Sequence, residues 1–133
     1  MIEFHLDARS GVPTYLQLAQ QVRRAVRLGI LHPGDQLPTV KEVVGALAIN
    51  PNTVLKAYRE LDREGLTEGR RGQGTFVSPM AASLPPDDVK MLRAALQRWH
   101  DQARAAGLDD DSIAALLAEI VRTGSSSSSM RAA

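Results

Sequence analysis

The stretch "NPNTVLKAYRELDREGL", residues 50–66, decides the fold. Asn50 can cap a helix, Pro51 suits a first helical turn, and Gly65 is a stop signal. Between them Val54, Ala57, Tyr58 and Leu61 recur at three- and four-residue steps, which makes one side of a helix apolar. The opposite side carries Asn52, Thr53, Lys56, Arg59 and Arg63. Such a face is either solvated or turned toward something anionic. Taken alone, an exposed polar face is solvated.

The neighbouring segments narrow the choice. Upstream, "TVKE" places Thr39 and Glu42 at capping-box spacing, and Val43, Val44 and Leu47 supply an apolar stripe. Gly45 weakens this short helix by about 1 kcal/mol relative to alanine. Only "AIN" separates it from the helix at Pro51. Before it, "LHPGDQLP" is a turn-rich connection. Earlier still, Tyr15, Leu18, Ala19, Val22, Ala25 and Val26 mark an amphipathic helix from Thr14 to Leu28, stopped by Gly29. The opening "MIEFHLDARSGVP" has no helical period and reads as an extended arm. Downstream the period changes. "LTEGRRGQGTFVS" holds two short segments around Gly72-Gln73-Gly74, with Thr75, Phe76 and Val77 favouring a strand, so a β-hairpin is expected.

The rest of the chain is organised differently. Residues 79–86, "PMAASLPP", read as a linker. Val89, Leu92, Ala95, Leu96, Trp99 and Ala103 mark a further helix ending near Gly107. "DDDS" puts acidic groups at the positive end of a last helix with Ile113, Leu116, Leu117, Ile120 and Val121 on its stripe, stopped at Gly124. Residues 125–133 are expected to be a disordered tail. The expected fold class is mainly α with a small β-hairpin. A winged helix-turn-helix domain with an N-terminal arm (1–78) is followed by a linker (79–86) and a two-helix dimerisation hairpin (87–124).

Composition excludes several function classes. The chain has 133 residues, 44% of them hydrophobic, and no cysteine. Disulfides, thiolate metal sites and a cysteine nucleophile are therefore absent. No apolar run reaches membrane-spanning length and no signal peptide is visible, so a reducing cytoplasm is the simplest location and no membrane partner is expected. His5, His32 and His100 lack metal-ligand spacing and are expected at the surface, with no metal and no cofactor. No nucleophile–base pairing or phosphate loop is present, so an enzyme is not expected; the run Asp109–Asp111 is helix N-terminal charge. Net charge is only +1, with 10 Lys/Arg and 8 Asp/Glu in residues 1–78. An anionic partner must meet a local patch.

Helix, turn-rich connection, helix, tight turn, helix and hairpin, in that order, is a winged helix-turn-helix layout. The short turn lets the third helix project its leading end, and an α-helix fits the major groove of B-DNA. Asn50, Asn52 and Thr53 can meet a base edge or a phosphate. Lys56, Arg59 and Arg63 can reach phosphates or guanine. Arg70, Arg71 and Gln73 at the hairpin tip, with Gly72 and Gly74 allowing close approach, can address the adjacent minor groove. Tyr58 and Trp99 fall on apolar stripes and belong to the core or an interface.

Residues 13–77 resemble the DNA-binding domain of the GntR family of bacterial transcription regulators. The motifs that carry the resemblance are Gly29 to Pro38 ("GILHPGDQLP"), "NPNTV…AY…L…GL" and "GQGTFV". The resemblance implies that Thr39 and Lys41 meet DNA, that Asn52 and Thr53 open the recognition helix, and that Arg71, Gly72 and Gly74 form the wing with Gln73 at its variable tip. The sequence departs from the family pattern in two places. Lys41 stands where Arg is commoner, which disfavours a bidentate guanine contact. Asn50-Pro51 stands where many members have Ser-Arg. The short remainder after residue 78 resembles the YtrA subfamily, whose C-terminal region serves dimerisation and whose members are often repressors.

Dimerisation is also expected from the helices themselves. Two helices of about twenty and fifteen residues cannot bury both apolar stripes against one another without another layer. A second copy would complete a small bundle through Leu92, Leu96, Trp99, Ile113, Leu116, Leu117 and Ile120. The expected function is a sequence-specific repressor that binds double-stranded DNA as a homodimer on a palindromic operator. Half-sites would lie roughly 34 Å apart. So short a C-terminal part leaves no room for a buried effector pocket in one chain; a cleft between copies could hold a small-molecule effector of unknown identity. The competing reading is a winged-helix protein–protein module, which the basic wing and the basic third helix disfavour.

Overall fold

The computed structural model describes residues 2–132, and for 125–132 the backbone only. The elements in chain order are α1 (Thr14–Arg27), α2 (Val40–Leu47), α3 (Pro51–Arg63), β1 (Thr67–Arg70), β2 (Gly74–Val77), α4 (Pro86–Ala105) and α5 (Asp110–Ala132). They form two compact units, Met1–Val89 and Lys90–Ala133.

In the first unit α3 packs against α1, α2 and β1. Its stripe of Val54, Ala57, Tyr58 and Leu61 is buried, facing Leu18, Ala19, Val22, Ala25 and Val26 of α1 and Val43 of α2. Leu31, Leu37 and Val77 close the core, and the arm contributes Phe4. Each fully buried leucine or valine there is worth about 1.5–3 kcal/mol over an exposed one. The arm is not a free extension. The Gln21 side chain accepts from His5 N at 2.9 Å and donates to His5 O at 2.6 Å. Gln17, one turn earlier, does the same for Asp7 at 2.8 and 3.0 Å. Two glutamines at i and i+4 on α1 thus satisfy arm backbone that has no strand partner.

Local chemistry sets the boundaries. Thr39 and Glu42 form a complete capping box before α2, and Asn50 caps α3 with Pro51 in its first turn. α1, α3 and α4 are followed by Gly29, Gly65 and Gly107 at φ of 73°, 78° and 103°, where a Cβ would be strained. The turn between α2 and α3 uses Ala48 instead, at φ 54°, the one non-glycine with positive φ among the described residues. β1 and β2 pair antiparallel, with Thr67 opposite Val77 and Arg70 opposite Gly74. Thr67 is buried and its hydroxyl donates to Asp62, tying the end of α3 to the hairpin.

Segment 79–86 is held to the first unit more firmly than a tether. Ala81 packs on the core, and Leu84 N donates to Arg27 O at 3.0 Å. In the second unit Asp109 caps α5, its carboxylate accepting from Ser112 N at 2.8 Å. Hydrogen bonds from the Ser112 side chain and then its amide hold this carboxyl below the usual carboxylate range. Arg104 meets Asp110 across the loop at 2.7 Å. One boundary differs from expectation. α5 runs through Gly124 to Ala132 rather than stopping there, because Gly124 keeps negative φ inside the helix and no proline follows. A glycine that is not left-handed weakens a helix without ending it. The stretch 125–132, expected to belong to a disordered tail, has its backbone within α5, and its side chains and Ala133 lie outside the described residues.

Candidate nucleic-acid interface

The exposed start of α3 and the hairpin lie on the same unit; α3 starts just after the end of α2, and the hairpin tip lies opposite Thr39 at the start of α2. Asn50 Oδ1 accepts from Asn52 N at 2.8 Å, so its oxygen is committed to the cap. The Asn52 side chain is exposed and makes no hydrogen bond among the described residues; Thr53 beside it is half-buried. This is what a helix start needs if it is to donate and accept outward.

The cations divide into free and held. Among the described residues Lys41, Arg59 and Arg71 are exposed and form no ion pair. Arg63 is exposed but leans on Glu60 at 3.3 Å. Lys56 Nζ sits 4.0 Å from the centroid of the Tyr15 ring, a cation–π contact that anchors it beside the first turn of α1. The Arg70 guanidinium lies 4.4 Å from the Phe76 ring centroid and 3.8 Å from Glu68. Arg70 is therefore partly occupied inside the hairpin, whereas Arg71 at the tip is not. Sequence spacing marks neither ring as a partner of these cations: the first contact joins α1 to α3, and the second is a cross-strand diagonal set by the register of the hairpin.

Thr39 is constrained in a way its position alone does not announce. Its hydroxyl accepts from Glu42 N at 3.1 Å and donates to Glu42 Oε1 at 3.0 Å. To donate to a phosphate, the hydroxyl must leave that carboxylate. An open concavity of about 490 Å³ separates Thr39 from the tip residues Arg71, Gly72, Gln73 and Gly74. Besides three glycines and the neutral polar residues Thr39, Gln73 and Thr75, its lining includes Arg70 and Arg71, chemistry suited to a polyanion. The buried Tyr58 hydroxyl donates to Pro38 O at 2.6 Å, joining α3 to the residue before Thr39. Burial, and secondarily the Glu42 carboxylate, pushes that phenol well above its ordinary range.

The second unit gathers the other set of residues. Ile113 and Ala103 are buried, and Trp99, Leu116 and Leu117 are half-buried. Leu92, Leu96 and Ile120 are 57%, 52% and 54% exposed. The hairpin of α4 and α5 thus leaves a large part of its apolar stripe open. His5 and His32 are exposed, while His100 is half-buried and its Nε2 lies 3.6 Å from Asp110. Among the described residues no cluster of His, Cys, Asp or Glu could hold a metal, and no helix is long and apolar enough to cross a membrane.

An exposed helix start carried on the same unit as a cationic glycine-tipped hairpin defines a winged helix-turn-helix regulator of the DNA-binding kind. Residues 14–77 match the family described as "Bacterial regulatory proteins, gntR family". The chain belongs to the GntR family. It is 39% identical over 116 residues to the HTH-type transcriptional repressor YtrA of Bacillus subtilis (strain 168), spanning 86% of this chain and 89% of that protein. That likeness therefore extends beyond residues 1–78, in keeping with a YtrA-like regulator with a short C-terminal part. The structure resembles the crystal structure of a transcriptional antiterminator from Listeria monocytogenes EGD-e, at TM-score 0.58 and 28% identity over 90% of each chain. It also resembles the DNA-binding domain of AraR solved in complex with operator ORX1, at TM-score 0.51 and 25% identity over 58% of this chain and 96% of that one. The family and its relatives are transcription regulators, not enzymes.

Proposed function

We propose that the protein is a homodimeric repressor that occludes promoter DNA by binding an inverted-repeat operator. In this reading the leading turn of α3 enters the major groove, with Asn52 and Thr53 at base edges. Asn50 shapes the helix start, its oxygen being held by the cap. Lys41, Lys56, Arg59 and Arg63 meet phosphates or guanine. The wing contributes Arg71 first, with Gly72, Gln73 and Gly74 presenting backbone, and Arg70 from its perch on Phe76. Thr39 joins once its hydroxyl turns from Glu42. The observation that carries the reading is that Asn52 is exposed at the head of α3 while Lys41, Lys56, Arg59 and Arg71, on α2, α3 and the wing of the same unit, are exposed and form no ion pair among the described residues. Unpaired charge on these elements is what a phosphate-contacting surface requires.

The homodimer is supported by the second unit. Leu92, Leu96 and Ile120 are about half exposed, and large apolar side chains left open in this way suit an interaction surface. Pairing two copies through these residues would bury it and present two recognition helices to two half-sites roughly 34 Å apart. Repression is the role named for YtrA of Bacillus subtilis. One experiment tests the whole. Selection of bound duplexes from a fragmented genome or a random library should yield a two-fold symmetric motif, bound with a steep inverse dependence on salt. Recovery of single asymmetric sites would remove the dimeric operator; no preference over scrambled duplex would remove the function.

A further inference from the structure

One side chain outside the recognition helix and the wing strands reaches the wing tip. Gln36 lies in the connection between α1 and α2, and its backbone bridges Phe76 antiparallel. Leu37 N donates to Thr75 O and Val77 N to Asp35 O, each at 2.8 Å. This connection therefore lines the edge of β2 as a short third strand. The Gln36 amide continues beyond it: Nε2 donates to Gln73 O at 3.2 Å. Gly74 is shaped around that amide. Its φ is +123°, and a Cβ built there would stand 2.7 Å from Gln36 Nε2. On the same strand Phe76 carries the Arg70 guanidinium. The backbone of Gln36 thus pairs with the residue whose ring lies under Arg70, and its side chain holds the Gln73 carbonyl, two residues along the tip from Arg71.

We infer that Gln36 is a positioning residue for the wing: it holds the 70–74 tip against the body of the domain and sets where Arg71 is presented. The clamp stands on the geometry above; its consequence for affinity rests on the DNA-binding role proposed for the wing. Gln36 acts through the tip and not by touching DNA. A hairpin tip with free glycines at 72 and 74 would otherwise sample many orientations, and ordering it on binding would weaken the complex. One hydrogen bond that pre-orders the tip strengthens binding roughly two- to fivefold.

The test uses the full chain with Q36M, which keeps the side-chain length and removes the donor, alongside R71A and Q36M/R71A. Without DNA, ¹⁵N relaxation in Q36M should show greater mobility at the amides of Gly72 and Gln73, with an unchanged melting temperature. On the selected operator fragment, Q36M should bind roughly two- to fivefold more weakly than wild type and add little further loss in the R71A background. Wing amides as ordered in Q36M as in wild type would overturn the clamp. A Q36M penalty of the same size with or without Arg71 would overturn the positioning role, because Gln36 would then contact DNA itself. If wild type prefers no fragment, the DNA-binding reading fails, and the relaxation measurement alone still decides the clamp.

Discussion

Replacing Tyr58 with phenylalanine removes one oxygen and leaves the ring, so no cavity forms. What is lost is the hydrogen bond to Pro38 O at 2.6 Å, between two buried residues. A buried acceptor left without its donor costs about 1–3 kcal/mol. At the middle of that range, about 2 kcal/mol, a domain of this size melts about 8–16 °C lower. The same bond predicts a pH signature. Burial and Glu42 raise the folded phenol above its ordinary value of 10.0, so the unfolded chain gives up this proton first. The stability that Tyr58 supplies is whole below pH 10 and is lost as pH rises from there toward the folded value. The gap between wild type and Y58F should therefore be widest at neutral pH and narrow above pH 10. Urea denaturation of both proteins at pH 7 and about pH 10.5 measures it, and contributions common to the two proteins cancel in the difference. Equal midpoints at pH 7, with no change in the gap on alkalinisation, would show that water satisfies Pro38 and that Tyr58 does not tie α3 to the start of α2.

Three further expectations concern binding and assembly. Asn52→Ala should weaken operator binding by about 1–3 kcal/mol and blur discrimination between single-base variants, measured by competition on a panel of duplexes. Retained affinity together with retained discrimination would remove Asn52 from base readout. Arg71→Ala should weaken binding to every duplex about equally and reduce the slope of log affinity against log salt by about 1, since it removes one phosphate neutralisation. Leu96→Asp places a charge on the open stripe of α4 and should sediment as a monomer while its first unit keeps the wild-type melting profile. A dimer that persists would put the interface elsewhere.

The winged helix-turn-helix was legible because its signals are local. Thr39 with Glu42, and Asn50 with Pro51, are helix starts written within four residues, and Gly29, Gly65 and Gly107 are stops because only a left-handed residue fits there. Gly124 misled for the same reason in reverse: the letter is identical, but its φ stays helical. The parts that escaped prediction join distant segments. Phe4 enters the core, Gln17 and Gln21 bind the arm, Tyr15 holds Lys56, and Gln36 meets Gln73 across 37 positions. Nothing in the spacing of a lone glutamine or tyrosine announces such a partner. The exposed residues at the head of α3 could be named from sequence, because the cap fixes the helix phase. That Arg70 rests on a ring while Arg71 stands free could not, since it depends on how the hairpin folds onto itself.

The half-open stripe of Leu92, Leu96 and Ile120 has a consequence for gene control. If two chains must meet before both halves of an operator are gripped, promoter occupancy at low abundance follows the square of protein concentration and not its first power. A modest fall in synthesis or rise in degradation would then release the promoter abruptly, giving a threshold response without any bound metabolite.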